Sequence, residues 1–196
     1  QTTTLRLKNT ALLVTGALDH EVRTGVEFIQ RDRLDASAGS APGGDKETVA
    51  LFVVDEVQIG DHWTITPALR YEDQTITEDP LNGTDTFDKD GLMGGISARY
   101  GFDNGWAVFG SAAYTENLPI IDDIANSVLI NQSEQGRSYE FGVSFDRADV
   151  FAAGDQLAVK VNYYTSDLWD VTTYRSFTPG NSTTNVSRNG VELEAA

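Results

Sequence analysis

The sequence predicts an all-β chain: an antiparallel transmembrane β-barrel wall of about eight to nine strands from a larger barrel. Short turns should lie at one end and long loops at the other. Three observations carry this expectation. Apolar residues recur with period two, the stretches that do so are long, and the connections alternate short and long without exception. Period two gives a strand one apolar and one polar face. Ordinary globular strands average about 5–6 residues, whereas membrane-crossing strands need about 9–11, and most of these reach ten or more. A soluble sandwich has no reason to sort loop length by side. Outer-membrane barrels do so, with short periplasmic turns and longer extracellular loops.

In chain order the expected strands are Leu5–Gly16, Glu21–Arg31, Thr48–Ile59, Trp63–Asp73, Gly91–Phe102, Trp106–Thr115, Ser138–Val150 and Gln156–Asp167. A ninth opens near Asn185. The clearest alternation is Trp63, Ile65, Pro67, Leu69 and Tyr71 against Thr64, Thr66, Ala68 and Arg70. Tyr139, Phe141, Val143 and Phe145 alternate with Glu140, Gly142, Ser144 and Asp146, and Leu157, Val159, Val161 and Tyr163 repeat the pattern. The short connections are Ala17–His20, Gly60–His62, Asp103–Gly105 and Phe151–Asp155. The long ones are Asp32–Glu47, Gln74–Asp90, Glu116–Arg137 and Leu168–Thr184. Asp103-Asn104-Gly105 has tight-hairpin chemistry, because Asn and Gly tolerate positive φ. Trp63 and Trp106 follow short turns, and Tyr71, Tyr100 and Tyr114 stand near strand ends, where interfacial aromatic girdles would lie.

Composition closes several alternatives. Lys and Arg total 14 and Asp and Glu total 30, giving a net charge of −16. No basic stripe offsets it, so nucleic-acid phosphates would be repelled. There is no cysteine, which excludes disulfides and thiolate metal sites, and only two histidines, which exclude a His-rich metal centre. A spanning helix needs about 18 apolar residues. The longest charge-free run near a hydrophobic segment, Asn104–Thr115, is too short. Gln1–Thr10 has no apolar signal-peptide core.

Motifs for bond chemistry are missing. Asp85–Gly91 resembles a calcium loop at first sight, but Thr86 falls at the first ligand position and Ser97 where the closing Glu belongs; an acidic solvated loop is expected. Asp122-Asp123 is the best carboxylate pair, with no histidine partner, so no catalytic or metal role is assigned. Gly39–Gly44 is flexible in composition and lacks the Lys-Ser/Thr tail of a phosphate cradle. Asn82-Gly83-Thr84 and Asn181-Ser182-Thr183 fit the glycosylation sequon. His20 and His62 are both expected in short turns. The chain is read as a non-enzyme without cofactor.

Val49 to Gly60, with Phe52, Asp55 and Glu56, followed by Trp63 to Tyr71, resembles the barrel of TonB-dependent outer-membrane receptors. Trp106–Tyr114 is similar to the strand before a ligand loop of that family, and Leu118-Pro119-Ile120-Ile121-Asp122-Asp123-Ile124 to the segment after it. Ser138–Val143 and Gly190–Glu194 match later strands. Ala68 replaces a usual Gly. The resemblance implies energised import of an iron chelate (siderophore) or haem-like nutrient across a Gram-negative outer membrane. It implies outer-membrane lipid, a plug domain of the same parent chain and, indirectly, the TonB complex as partners. The whole of 1–196 is then one partial barrel domain, with the plug and further strands outside it. Inner-face positions expected towards a plug are Arg70, Glu72, Arg99, Glu140 and Lys160. Ligand-binding residues expected at the extracellular loop are Tyr114, Glu116, Asp122, Asp123 and Arg137. Two other readings stay open: a small eight-stranded pore or structural barrel, and a secreted carbohydrate-binding β-sandwich.

Overall fold

The computed structural model describes residues 1–33, 43–78, 85–125, 127–173 and 182–196. They form one antiparallel sheet of nine strands in sequence order. The strands are β1 (Thr2–Thr15), β2 (Leu18–Arg33), β3 (Gly44–Ile59), β4 (Trp63–Glu78), β5 (Thr86–Gly101), β6 (Trp106–Asn117), β7 (Glu134–Ala148), β8 (Gln156–Thr173) and β9 (Ser182–Ala195). Each pairs with the next, so every short turn lies at one end of the sheet and every long connection at the other. The sandwich reading falls here, because among the described residues no second sheet covers the apolar face. The ninth strand pairs with β8 along most of its length, which removes the count on which the eight-stranded barrel rested.

The strands overrun their expected ends, mostly towards the long loops. β3 begins at Gly44 rather than Thr48, β4 continues to Glu78, β5 begins at Thr86, and β8 continues to Thr173. Period two is visible only where one face meets an apolar medium. Beyond that zone the outward face turns polar and the inward face keeps only isolated apolar residues such as Ile76 and Phe87, so hydrogen-bonded pairing continues without a repeating hydrophobic signature. For the same reason the acidic stretch Asp85–Gly91 is not a loop, as expected above, but nearly all strand β5. His20, expected in a turn, lies in β2, where its Nδ1 is 2.9 Å from Asp55 Oδ2. Asn82-Gly83-Thr84, Asn181 and most of Gly39–Gly44 lie outside the described residues, although Ser182 and Thr183 lie in β9 and Gly44 opens β3.

The two faces are sorted by register. Val49, Leu51 and Val53 share one face with Leu69, Tyr71, Tyr139, Phe141 and Val143 across the neighbouring strands. These side chains are exposed, Leu51 by 54% and Phe141 by 63%. Ala50 on the opposite face is 0% exposed. An exposed apolar belt on a sheet of this length is what a lipid-facing wall requires. Aromatic clusters bound the belt. At the short-turn end Trp63 and Tyr100 have ring centroids 4.9 Å apart, and Trp106 and Phe145 5.1 Å. At the other end Tyr114 and Trp169 are 6.3 Å apart.

On the inner face two aromatic rings lie over glycines of the next strand. Phe52 of β3 occupies the space a Cβ would take at Gly25 of β2, and Phe109 of β6 does so at Gly142 of β7. Glycine is required at both places by this close approach.

Candidate functional site

The long-loop end of the inner face holds the most developed site. The β6–β7 connection does not extend away from the sheet but folds back onto it. Two short 3₁₀ turns, Ile121–Ala125 and Leu129–Asn131, carry Ile121, Ile124 and Ile130. These pack on Ile76 of β4 and Phe87 of β5, and Ile76, Ile121 and Ile130 are all buried. The alternation that makes Arg70 and Glu72 inward also makes Gln74 and Ile76 inward, so β4 supplies an apolar seat above its charged segment.

Four neighbouring strands each give this loop one polar anchor. Lys46 Nζ of β3 donates to the Pro119 carbonyl at 3.1 Å, and Gln74 Nε2 of β4 donates to the same oxygen at 2.7 Å. Lys89 Nζ of β5 donates to the Asn131 carbonyl at 3.0 Å. Arg33 of β2 forms an ion pair with Asp122. Within the loop the Ile120 amide donates to Asp123 Oδ2 at 2.8 Å, closing its first turn. Buried polar groups are tolerated only when bonded, and side chains of the wall satisfy the Pro119 and Asn131 carbonyls while the 3₁₀ turns bond their own.

The loop leaves recesses on either side of Pro119–Asp123. One cavity of about 470 Å³ is bordered by Glu72, Gln74, Glu116, Asp123, Glu134 and Lys46. A second, of about 330 Å³, is bordered by Arg31, Arg33, Lys46, Ile120, Ile121 and Asp122. The first is dominated by carboxylates and the second by cations.

Below the loop, Glu27 is held between two guanidiniums. Arg70 Nη2 lies 2.8 Å from Glu27 Oε2 and Arg70 Nε lies 2.6 Å from Glu72 Oε1, while Arg6 pairs with Glu27 from β1. Nearer the short turns, Lys160 Nζ is 3.7 Å from Glu140 Oε1 and lies over the Phe109 ring. Arg99, Glu140 and Lys160 border one recess with Glu56.

The expected residues divide. Arg70, Glu72, Arg99, Glu140 and Lys160 all stand on the face opposite the exposed apolar belt. Asp122 and Asp123 lie in the folded-back loop, the first paired with Arg33 and the second buried. Glu116 stands where β6 has parted from β5, since their pairing stops at Gly94 and Tyr114. Tyr114, hydrogen-bonded to Glu116, and Arg137 lie outside the folded-back loop. They are opposite each other across β6 and β7 on the outward register, and the Arg137 guanidinium lies 5.1 Å from the centre of the Trp169 ring. The anchors Arg33, Lys46, Gln74 and Lys89 were absent from the sequence expectation because they fell in supposed loops. Continuing the inward phase of β3 from Ala50 through Thr48 would have reached Lys46.

Among the described residues no cluster of His, Cys, Asp or Glu is arranged to hold a metal ion.

Comparison with known proteins follows the same line. Residues 1–196 match the family described as TonB dependent receptor-like, β-barrel. No curated protein matches the sequence. Solved structures share the fold at low identity. The Serratia marcescens hemophore receptor HasR, in complex with its hemophore HasA and heme, superposes with a TM-score of 0.78 at 15% identity, over 99% of this chain and 39% of that one. The ferric-catecholate import receptor Fiu of E. coli K12 gives 0.74 at 15%, over 100% and 35%. The ferric citrate transporter FecA gives 0.75 at 18%, over 99% and 31%. The chain thus spans between about a third and two fifths of these relatives. With its whole length matched, the chain belongs to the TonB-dependent receptor family, as part of the β-barrel.

Proposed function

We propose that this chain forms nine strands of the barrel of a receptor that imports a metal chelate, a siderophore or a haem-like nutrient, across the outer membrane. The inner-face charges Arg70, Glu72, Arg99, Glu140 and Lys160 would meet a plug domain of the parent chain, and TonB would act through that plug. The wall performs no bond chemistry; it excludes lipid, positions the plug and presents the ligand-facing loop. Polar lumen residues suit this arrangement, whereas Arg or Lys on the lipid face costs about 2–4 kcal/mol near the midplane. Structural relatives described as a hemophore receptor in complex with its hemophore and heme, a ferric-catecholate import receptor and a ferric citrate transporter support the class of cargo.

The observation that carries the reading is the β6–β7 loop seated on the inner wall at the long-loop end, with recesses on both sides. A loop fixed there meets any solute entering the lumen. Deleting Leu118–Gln135 in the parent receptor is expected to abolish uptake of radiolabelled ferric chelate by iron-starved cells. The barrel should still be present in outer-membrane fractions at normal amount. Unchanged uptake in that deletion would overturn the proposal.

A further inference from the structure

We propose that Arg31, Lys46 and Arg33 form a subsite for an oxyanionic group, a carboxylate or a phosphate, of the incoming solute, and that the β6–β7 loop closes this subsite with its own carboxylate, Asp122. The inference rests on the import reading for the source of the solute and names a chemical class that the reading leaves open.

The register sets Arg31 of β2 directly across from Lys46 of β3 on the inner face. Like charges directly opposite one another destabilise a strand pair, so this placement is unfavourable unless an anion is shared between them. Arg33 stands two residues further along the same face. The three cations border one cavity of about 330 Å³. Their resident partners are few. Asp122 pairs with Arg33, the Lys46 ammonium donates to the neutral Pro119 carbonyl with the Glu72 and Asp123 carboxylates near it on the other side of the loop, and no ion pair reaches Arg31 among the described residues. Asp32 also borders the cavity, but its carboxylate accepts from Gln30 on the opposite face. A chain with a net charge of −16 therefore gathers three cations on one side of the loop where it meets the wall.

Guanidinium and ammonium groups make their strongest hydrogen bonds to oxyanions. Asp122 occupies one of the three cations as an internal stand-in for such a group. An entering oxyanion would take Arg31 and Lys46, displace the Pro119 carbonyl from Lys46 and compete with Asp122 for Arg33. The same contacts hold the loop down, so filling the subsite loosens it. The Arg33 and Asp122 side chains are 36% and 42% exposed, which leaves the site reachable from the mouth.

The test uses the folded full-length receptor in detergent, titrated calorimetrically with tricarballylate at fixed ionic strength, with choline as the cationic control. Saturable tricarballylate binding is expected, weakened at least tenfold by Arg31→Gln with Lys46→Gln and retained by Arg31→Lys with Lys46→Arg. Asp122→Asn is expected to tighten binding severalfold and to speed amide exchange of Ile121–Ile124. If the glutamine pair does not fold, Arg31→Gln alone takes its place with a smaller loss, since Arg31 makes no ion pair within the described wall. An affinity indifferent to these substitutions, or no saturable binding to the parent, would overturn the subsite even if chelate uptake is normal. Binding that emerges only after plug deletion would assign the cations to a plug carboxylate and equally overturn it. Binding through Arg31 and Lys46 in a receptor that imports no ferric chelate would keep the subsite and sink the import reading instead.

Discussion

The two faces of this wall obey opposite rules. Outward, the large apolar side chains are exposed: Leu51, Leu69, Phe141 and Val143 lie where a soluble protein would place Lys or Glu. Inward, the buried groups include Glu27, Thr48, Gln74 and Asn162. The long-loop end adds a second sorting. Outward positions there carry Asp32, Asp45, Glu47, Asp73, Asp88 and Asp90, with Asp32 opposite Asp45 and Asp73 opposite Asp90. Inward positions on the same strands carry Arg31, Arg33, Lys46 and Lys89. The net charge of the chain thus describes neither face. What matters is the parity of each position, since a shift of one residue in a strand would exchange the two faces.

The sharpest way to break the inner face is to remove its central carboxylate. Glu27→Ala leaves Arg6 and Arg70 without their shared anion; breaking a fully buried pair costs about 3–5 kcal/mol, and the low end of that range, about 3 kcal/mol, applies here because Arg6 is half exposed and Arg70 keeps Glu72. Guanidinium-chloride unfolding of the full receptor in bilayers should report a loss of that size; a change within error would show that the network is not a structural element. The outer face is broken by Leu51→Arg. A cation at the lipid face near mid-depth costs about 2–4 kcal/mol, read in the same unfolding experiment. A negligible effect would place Leu51 outside the hydrocarbon.

The smallest expected effect lies off both faces, in the turn between β7 and β8. The Asp155 carboxylate accepts the amides of Val150, Phe151 and Ala152 at 2.7, 2.9 and 3.0 Å. Partial desolvation pushes its pKa upward, but these three hydrogen bonds outweigh it and hold the group below the usual carboxylate value. The unfolded carboxyl therefore takes up its proton at a higher pH than the folded one. The turn's stabilisation is complete above the ordinary carboxylate range and is lost as pH falls through the lowered value. Amide exchange of Phe151 and Ala152 should show this loss of protection, and Asp155→Asn should flatten the pH dependence. A flat profile in the unmodified chain would refute the assignment.

Much of the wall could be read from the chain because membrane strands write their environment into alternate residues. Trp63–Tyr71 and Tyr139–Phe145 announce both their length and their faces. The alternation fails where lipid ends. Gly44–Glu47, Gln74–Glu78 and Thr86–Asp90 carry only Ile76 and Phe87 as large apolar residues, too few to show an alternation, so they read as loops although they are paired strands. The site suffered from the same blindness. Asp122 and Asp123 were legible as a pair in the long β6–β7 loop, but their partners come from strand extensions that carry no repeating hydrophobic signal. Tyr114 and Arg137 were assigned by nearness to the loop in sequence. Nearness says nothing about parity, and both occupy the outward register beside Trp169.

Three of the four side chains that hold the β6–β7 loop grip main-chain oxygens: Lys46 and Gln74 at Pro119, and Lys89 at Asn131. A carbonyl is present whatever residue bears it. Descendants of this sequence are therefore free to rewrite the exposed side chains of the loop while the wall keeps hold of its backbone. A wall built this way can carry a changed loop surface without redesigning how that loop is moored.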